Sequence, residues 1–233
     1  MRMRRIAPLM VVSLSIFGMF CAEVAHGQKA EDLYNQGTTL LNQGKVAEAI
    51  ARLKEAVQIK PDLAPAHFNL GDAYEKRGAL DDAIASYKEA VKHKPEGKYY
   101  LSLGLVYKKK KMLPEAIEAY KKAAEADPKN AKTFFNLGNA YQEREAFSDA
   151  IASYNKAISL KYPNPASVYF NLGVTHQKKG DNLEAAKAYE AYLKASPRAS
   201  NAKQIQEIIK GLREQAKDQQ GLGEQAKDRQ VKR

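Results

Sequence analysis

The sequence predicts an all-α solenoid of five helix-hairpin repeats closed by a C-terminal capping helix. Two observations carry this. Gly37, Gly71, Gly104, Gly138 and Gly173 recur at spacings of 34, 33, 34 and 35 residues, each inside a related phrase: YNQG, FNLG, LSLG, FNLG and FNLG. Within a unit, apolar residues also follow helical spacing: Leu80, Ala83, Ile84, Tyr87 and Val91 make one stripe on one helix face.

Each unit carries the same further marks. Twelve residues after the glycine stands an alanine (Ala49, Ala83, Ala116, Ala150, Ala185), and four further on a large residue (Leu53, Tyr87, Tyr120, Tyr154, Tyr189). A small residue on one helix lets a second helix approach, and the large residue fills the space beside it. The residue before that alanine is always acidic (Glu48, Asp82, Glu115, Asp149, Glu184), which suits the first turn of a helix and its macrodipole. Pro61, Pro95, Pro128, Pro163 and Pro197 close the units, since proline cannot donate the next helical hydrogen bond. The repeats so bounded are 30–63, 64–96, 97–130, 131–165 and 166–199. Positions below are counted from the first residue of each.

A single hairpin cannot bury its stripe, so the units must stack, and the ends of the stack need polar covers. Gln36 stands where later repeats have leucine. Residues 200–217 give one more amphipathic helix, with Ala202, Ile205, Ile209 and Leu212 on one face. Tyr192 replaces the small alanine of other repeats, so the last junction is expected to pack differently, against Ala202. Residues 218–233 belong to a near-duplication, GLREQAKDQQ followed by GLGEQAKDRQ, too poor in apolar residues to order a core. Gly221 and Gly223 are expected to break any helix there. A disordered charged tail is one reading, and an arm that folds on a partner is the other.

At the N-terminus, MRMRR, an apolar run from Ile6 to Phe20 and a small-residue pair at Ala25 and Gly27 have the order of a secretory signal peptide, residues 1–27, cleaved after Gly27. The run is short for a membrane span, which needs ~20 apolar residues. Lipidation at Cys21 and an uncleaved anchor are the alternatives; Phe20 stands where lipidation needs a small residue. Cys21 is the sole cysteine, so a processed chain has no disulfide, thiolate metal site or cysteine nucleophile. The formal charge of +11 stays strongly basic after processing. For an exported protein, periplasmic or secreted, this favours acidic proteins or anionic envelope components over nucleic acid, and no stable membrane insertion is expected once the signal is removed.

No catalytic constellation, cofactor fingerprint or metal-ligand spacing is present: there is no P-loop, no G-x-S-x-G and no dinucleotide motif. His67 and His176 fall on positions 4 and 11, and His93 in the last turn of a helix, with no i, i+4 pairing among them. Lys108, Lys109, Lys110 and Lys111 form the conspicuous charge run, read either as a solvated helix end or as a basic patch beside a binding surface.

These marks resemble the tetratricopeptide-repeat (TPR) family, whose pattern has Leu-Gly at positions 7 and 8, Tyr at 11, Ala at 20, an aromatic at 24, Ala at 27 and Pro at 32. The resemblance implies a non-catalytic interaction scaffold whose first helices line a concave groove through positions 2, 5, 6, 9, 12 and 13. It points to Tyr34, Phe68, Phe135 and Phe170 as an apolar row and to Asn35, Asn69, Asn136 and Asn171 as an amide row, with Asn139 and Lys98 beside them. An asparagine row resembles the ladder in the TPR superhelix of protein O-linked sugar transferases and suits the backbone of an extended peptide. The carboxylate clamp of TPR co-chaperones is not matched, since no repeat has Lys at position 5 or Arg at position 6. The expected partner is a protein or peptide, with an acidic segment favoured by the lysines. A self-assembling structural solenoid and a non-catalytic accessory subunit of an exported enzyme or assembly machine are the alternatives, and the oligomeric state is open.

Overall fold

The computed structural model describes residues 27–231, and the expected signal segment with Cys21 lies outside them apart from Gly27. The described residues are all-α and contain no strand. The elements are α1 (27–42), α2 (Val46–Ile59), α3 (Ala64–Arg77), α4 (Leu80–His93), α5 (Gly97–Lys109), α6 (Leu113–Ala126), α7 (Ala131–Glu143), α8 (Phe147–Ser159), α9 (Pro165–Lys179), α10 (Asn182–Ala195) and α11 (Ala202–Val231). None of the described helices is long and apolar enough to cross a membrane. The chain divides into two compact units, one up to Val106 and one from Tyr107 onward.

In the first unit α3 packs on α4, and α2 on α3; in the second, α7 packs on α8, α9 on α10, and α6, α8 and α10 on the helix that follows each. The glycine at position 8 decides how close a hairpin closes. A Cβ on Gly71, Gly138 or Gly173 would lie 2.6 Å from the ring of Tyr87, Tyr154 or Tyr189, and one on Gly37 would lie 2.6 Å from Leu53. The tyrosine at position 24 therefore lies flat in the space that the glycine leaves.

Second helices mostly begin without a side-chain cap, at Ala79, Met112 and Ala146 for example. The acidic residue in the first turn partly offsets this by facing the positive end of the helix dipole. The turn inside each hairpin uses a left-handed residue at position 15. It is glycine in three repeats (Gly44, Gly78, Gly180) but Lys111 and Glu145 in the other two, at φ 60° and 62°.

α11 covers the last hairpin: Ile205, Ile209 and Leu212 are buried against Ala185, Ala186 and Tyr189. Tyr192 reaches the start of that cover differently from expectation, since its hydroxyl donates to Asn201 Oδ1 at 2.8 Å. The expected break at Gly221 and Gly223 is absent: the backbone stays helical through Val231. Ala, Glu, Gln, Lys and Arg dominate this stretch and are strong helix formers, so two glycines costing about 1 kcal/mol each do not end it.

Candidate functional site

The first-helix face of each unit carries the residues that sequence reasoning selected. In the first unit Phe68 is half-buried between two tyrosines, 4.7 Å from the Tyr99 ring and 5.5 Å from Tyr87, centroid to centroid. Lys98 lies over this cluster, its Nζ 4.9 Å from the Tyr99 ring centroid and 5.9 Å from that of Phe68, held by Glu96 at 3.0 Å. Asn69 Nδ2 donates to Thr38 Oγ1 on α1 at 2.7 Å. Tyr34 is half-buried on α1. Asn35 departs from the row and lines a pocket with Gln36, Leu40 and Arg52.

In the second unit the plan recurs. Phe135 stacks on Tyr162 at 4.6 Å and tilts against Tyr154 at 6.1 Å, while Phe170 meets Tyr192 and Tyr189 edge-on at 5.3 and 5.9 Å. Asn171 Nδ2 donates to Asn139 Oδ1 at 2.9 Å, which joins position 6 of one repeat to position 9 of the one before, as Asn69 and Thr38 do. Gln142 Nε2 extends the line by donating to Thr175 Oγ1 at 2.8 Å. Asn136 differs: its amide donates to Lys132 O of its own helix at 3.0 Å. The amide row is thus partly a set of inter-helix braces, each using one of the two N–H groups of an asparagine.

The tyrosine hydroxyls tie this face to the core. Tyr87 Oη donates to Asp72 Oδ1 at 2.5 Å with Glu75 Oε2 at 3.1 Å; Tyr154 Oη donates to Asn139 Oδ1 at 2.8 Å; Tyr189 Oη donates to Gln177 Oε1 at 3.0 Å. Burial holds the Asp72 carboxyl above its ordinary range, against the bond from Tyr87, and pushes the Tyr87 hydroxyl up further with help from the two carboxylates. In repeat three, position 12 is Lys108, and the buried Tyr120 hydroxyl has no partner among the described residues.

The four residues of the lysine run take different local roles. Lys108 Nζ is 2.7 Å from Glu143 Oε1, and Lys111 is the left-handed turn residue, while Lys109 and Lys110 have interactions of their own. Sequence reasoning also missed residues that build the site. Tyr99, Tyr162 and Tyr192 each supply the second ring beside a position-5 phenylalanine from a different place in its repeat, so no common spacing marks them. Thr38, Gln142 and Thr175 were discoverable, since they too lie on the first helices. His67 and His93, with no relation in spacing, stack at 5.8 Å between ring centroids.

Residues 34–98 and 135–200 match a family model described as tetratricopeptide repeat, and residues 104–145 match one described as TPR repeat. The chain belongs to the tetratricopeptide-repeat family. No curated protein matches it at a significant level. Among solved structures this TPR chain is similar to MamA at 26% identity, with a TM-score of 0.69, covering 76% of this chain and 96% of that one. It is similar to YrrB, described as a TPR protein with an unusual peptide-binding site, at 18% identity and a TM-score of 0.68, covering 75% and 90%. The Pseudomonas aeruginosa protein PilF aligns over 88% of this chain and 93% of its own at 18% identity and a TM-score of 0.65. These likenesses establish the TPR fold, an architecture that serves to bind protein or peptide partners.

Proposed function

We propose that this TPR protein is a non-catalytic scaffold of the cell envelope that holds an extended segment of a protein partner along the first-helix faces of its repeats. The carrying observation is the recurrence, in both units, of a half-buried phenylalanine at position 5 beside an amide at position 6. Aromatic clusters offer anchors for alternate side chains, and the amides retain a carbonyl or N–H for the partner's main chain. Lys98, poised over Phe68 and Tyr99, favours an acidic residue near that point. The export reading rests on the Arg-rich start, the apolar run and the Ala25 and Gly27 pair.

The test is site-specific photocrosslinking in cells from Asn136, whose side chain braces no second helix, with Lys121 on a second helix as control. Capture of one protein from Asn136 and not from Lys121 is expected. Asn136→Ala should then weaken that complex by roughly 1 kcal/mol with the fold unchanged. Capture from Lys121 alone, with Asn136→Ala binding normally, would move the interface off this face.

A further inference from the structure

We propose that the pocket between α9, the last turn of α10 and Asn201 is a subsite for an uncharged, amide-bearing side chain of a bound peptide, an inference that rests on the peptide-holding reading above. Position 27 of the repeat is alanine at Ala56, Ala90, Ala123 and Ala157, each fully buried. A residue this small admits the following first helix, and Ala90 accordingly shares one buried cluster with Ala64 and Tyr99. Repeat five has Tyr192 instead. Its ring is half-buried, α11 packs on Ala185, Ala186 and Tyr189, and a pocket of about 370 Å³ remains, lined by Asn164, Ser167, Phe170, Asn171, Tyr192 and Asn201 among others.

The pocket wall is built. The Tyr192 ring stands edge-on to Phe170 at 5.3 Å and its hydroxyl donates to Asn201 Oδ1 at 2.8 Å, which leaves the Asn201 N–H groups to offer. Asn171 donates to Asn139 Oδ1 at 2.9 Å, a bond that does not use its own carbonyl oxygen. Amide and hydroxyl side chains therefore share one lining with the Phe170 and Tyr192 rings, and no charged side chain lines the pocket among the described residues. A carboxylate or ammonium seated here would meet no counter-charge in the lining. An aliphatic group would leave the amides unpaired. A primary amide is flat and carries both donor and acceptor, so glutamine or asparagine matches the lining. Ser167, Phe170 and Asn171 occupy positions 2, 5 and 6, which makes the pocket continuous with the first-helix face of α9.

The experiment follows backbone amide shifts of the purified protein by NMR. The probes are N-acetyl-glutamine amide, the corresponding blocked glutamate, lysine and leucine, and methyl glucoside. Glutamine should shift Ser167, Phe170, Asn171 and Asn201 saturably and bind about tenfold tighter than the other blocked residues. Tyr192→Phe, which removes only the hydroxyl that orients Asn201, should weaken that response, and Asn201→Ala should abolish the preference for glutamine. Equal responses to all probes, no response, or a stronger response to the glucoside would overturn the subsite. Loss of the subsite with partner capture from Asn136 intact would leave the peptide-holding reading standing, whereas loss of both would remove the shared premise.

Discussion

The tyrosine at position 24 is anchored twice, by a glycine that admits its ring and by acceptors that receive its hydroxyl. Repeats two and four solve the second half differently: Asp72 accepts from Tyr87, Asn139 from Tyr154. Burial holds the Asp72 carboxyl up in the folded protein. As pH rises from the ordinary aspartate range through that elevated value, the unfolded chain loses its proton first, so Asp72 subtracts from stability progressively and fully above its folded pKa. Asp72→Asn, which copies repeat four, should raise the melting temperature at neutral pH and leave it unchanged near pH 3. A destabilisation at neutral pH would mean that the charged hydrogen bond outweighs desolvation.

Backbone strain is also local to single residues. Lys111 and Glu145 hold the left-handed conformation that glycine takes in the other three hairpin turns. Lys111→Gly and Glu145→Gly should each stabilise by about 1 kcal/mol, since the cost of a Cβ at positive φ exceeds the entropy that glycine gives the unfolded chain. Denaturant melts would register this. Gly138→Ala should do the opposite and cost about 1–3 kcal/mol, because its Cβ would collide with the Tyr154 ring.

Among the elements, α11 separates into a covering part and an extension. Ile205, Ile209 and Leu212 each lose nearly all contact with water. Deletion from Ser200 onward should therefore cost several kcal/mol, at roughly 1.5–3 kcal/mol per buried aliphatic side chain, and expose an apolar face that promotes aggregation. Deletion from Asp218 should change stability by less than about 1 kcal/mol. Equal losses of melting temperature would show that the extension contributes to the fold. The capping stripe was legible because its residues recur at helical spacing. The helix through Gly221 and Gly223 was not legible because composition measures the lack of a core, whereas a helix continuous with an anchored one needs only propensity and a nucleus already formed.

At the scale of the whole molecule, the export reading carries a prediction of its own. The chain should be cleaved after Gly27, so N-terminal sequencing of exported protein should begin at Gln28; retention of Met1 or a lipid on Cys21 would replace that reading with an anchored one. The lysine run spans a helix end and a turn, so its members differ in local role. Lys108 faces Glu143, and Lys111 turns the chain.

The sequence by itself determined the all-α fold class, the repeat family and the apolar face that each helix buries. These depend on short-range periodicity: glycine and alanine where helices approach, a large ring opposite, proline at the end. Only the tertiary structure decided what the first-helix face presents. Phe68, Phe135 and Phe170 share a repeat position, but their second rings come from Tyr99, Tyr162 and Tyr192, which have no common register. The amide row became a set of braces because asparagine at position 6 meets whatever side chain stands at position 9 of the preceding repeat, about thirty residues away. A repeat pattern specifies what each hairpin shares; contacts between neighbours depend on what each one varies.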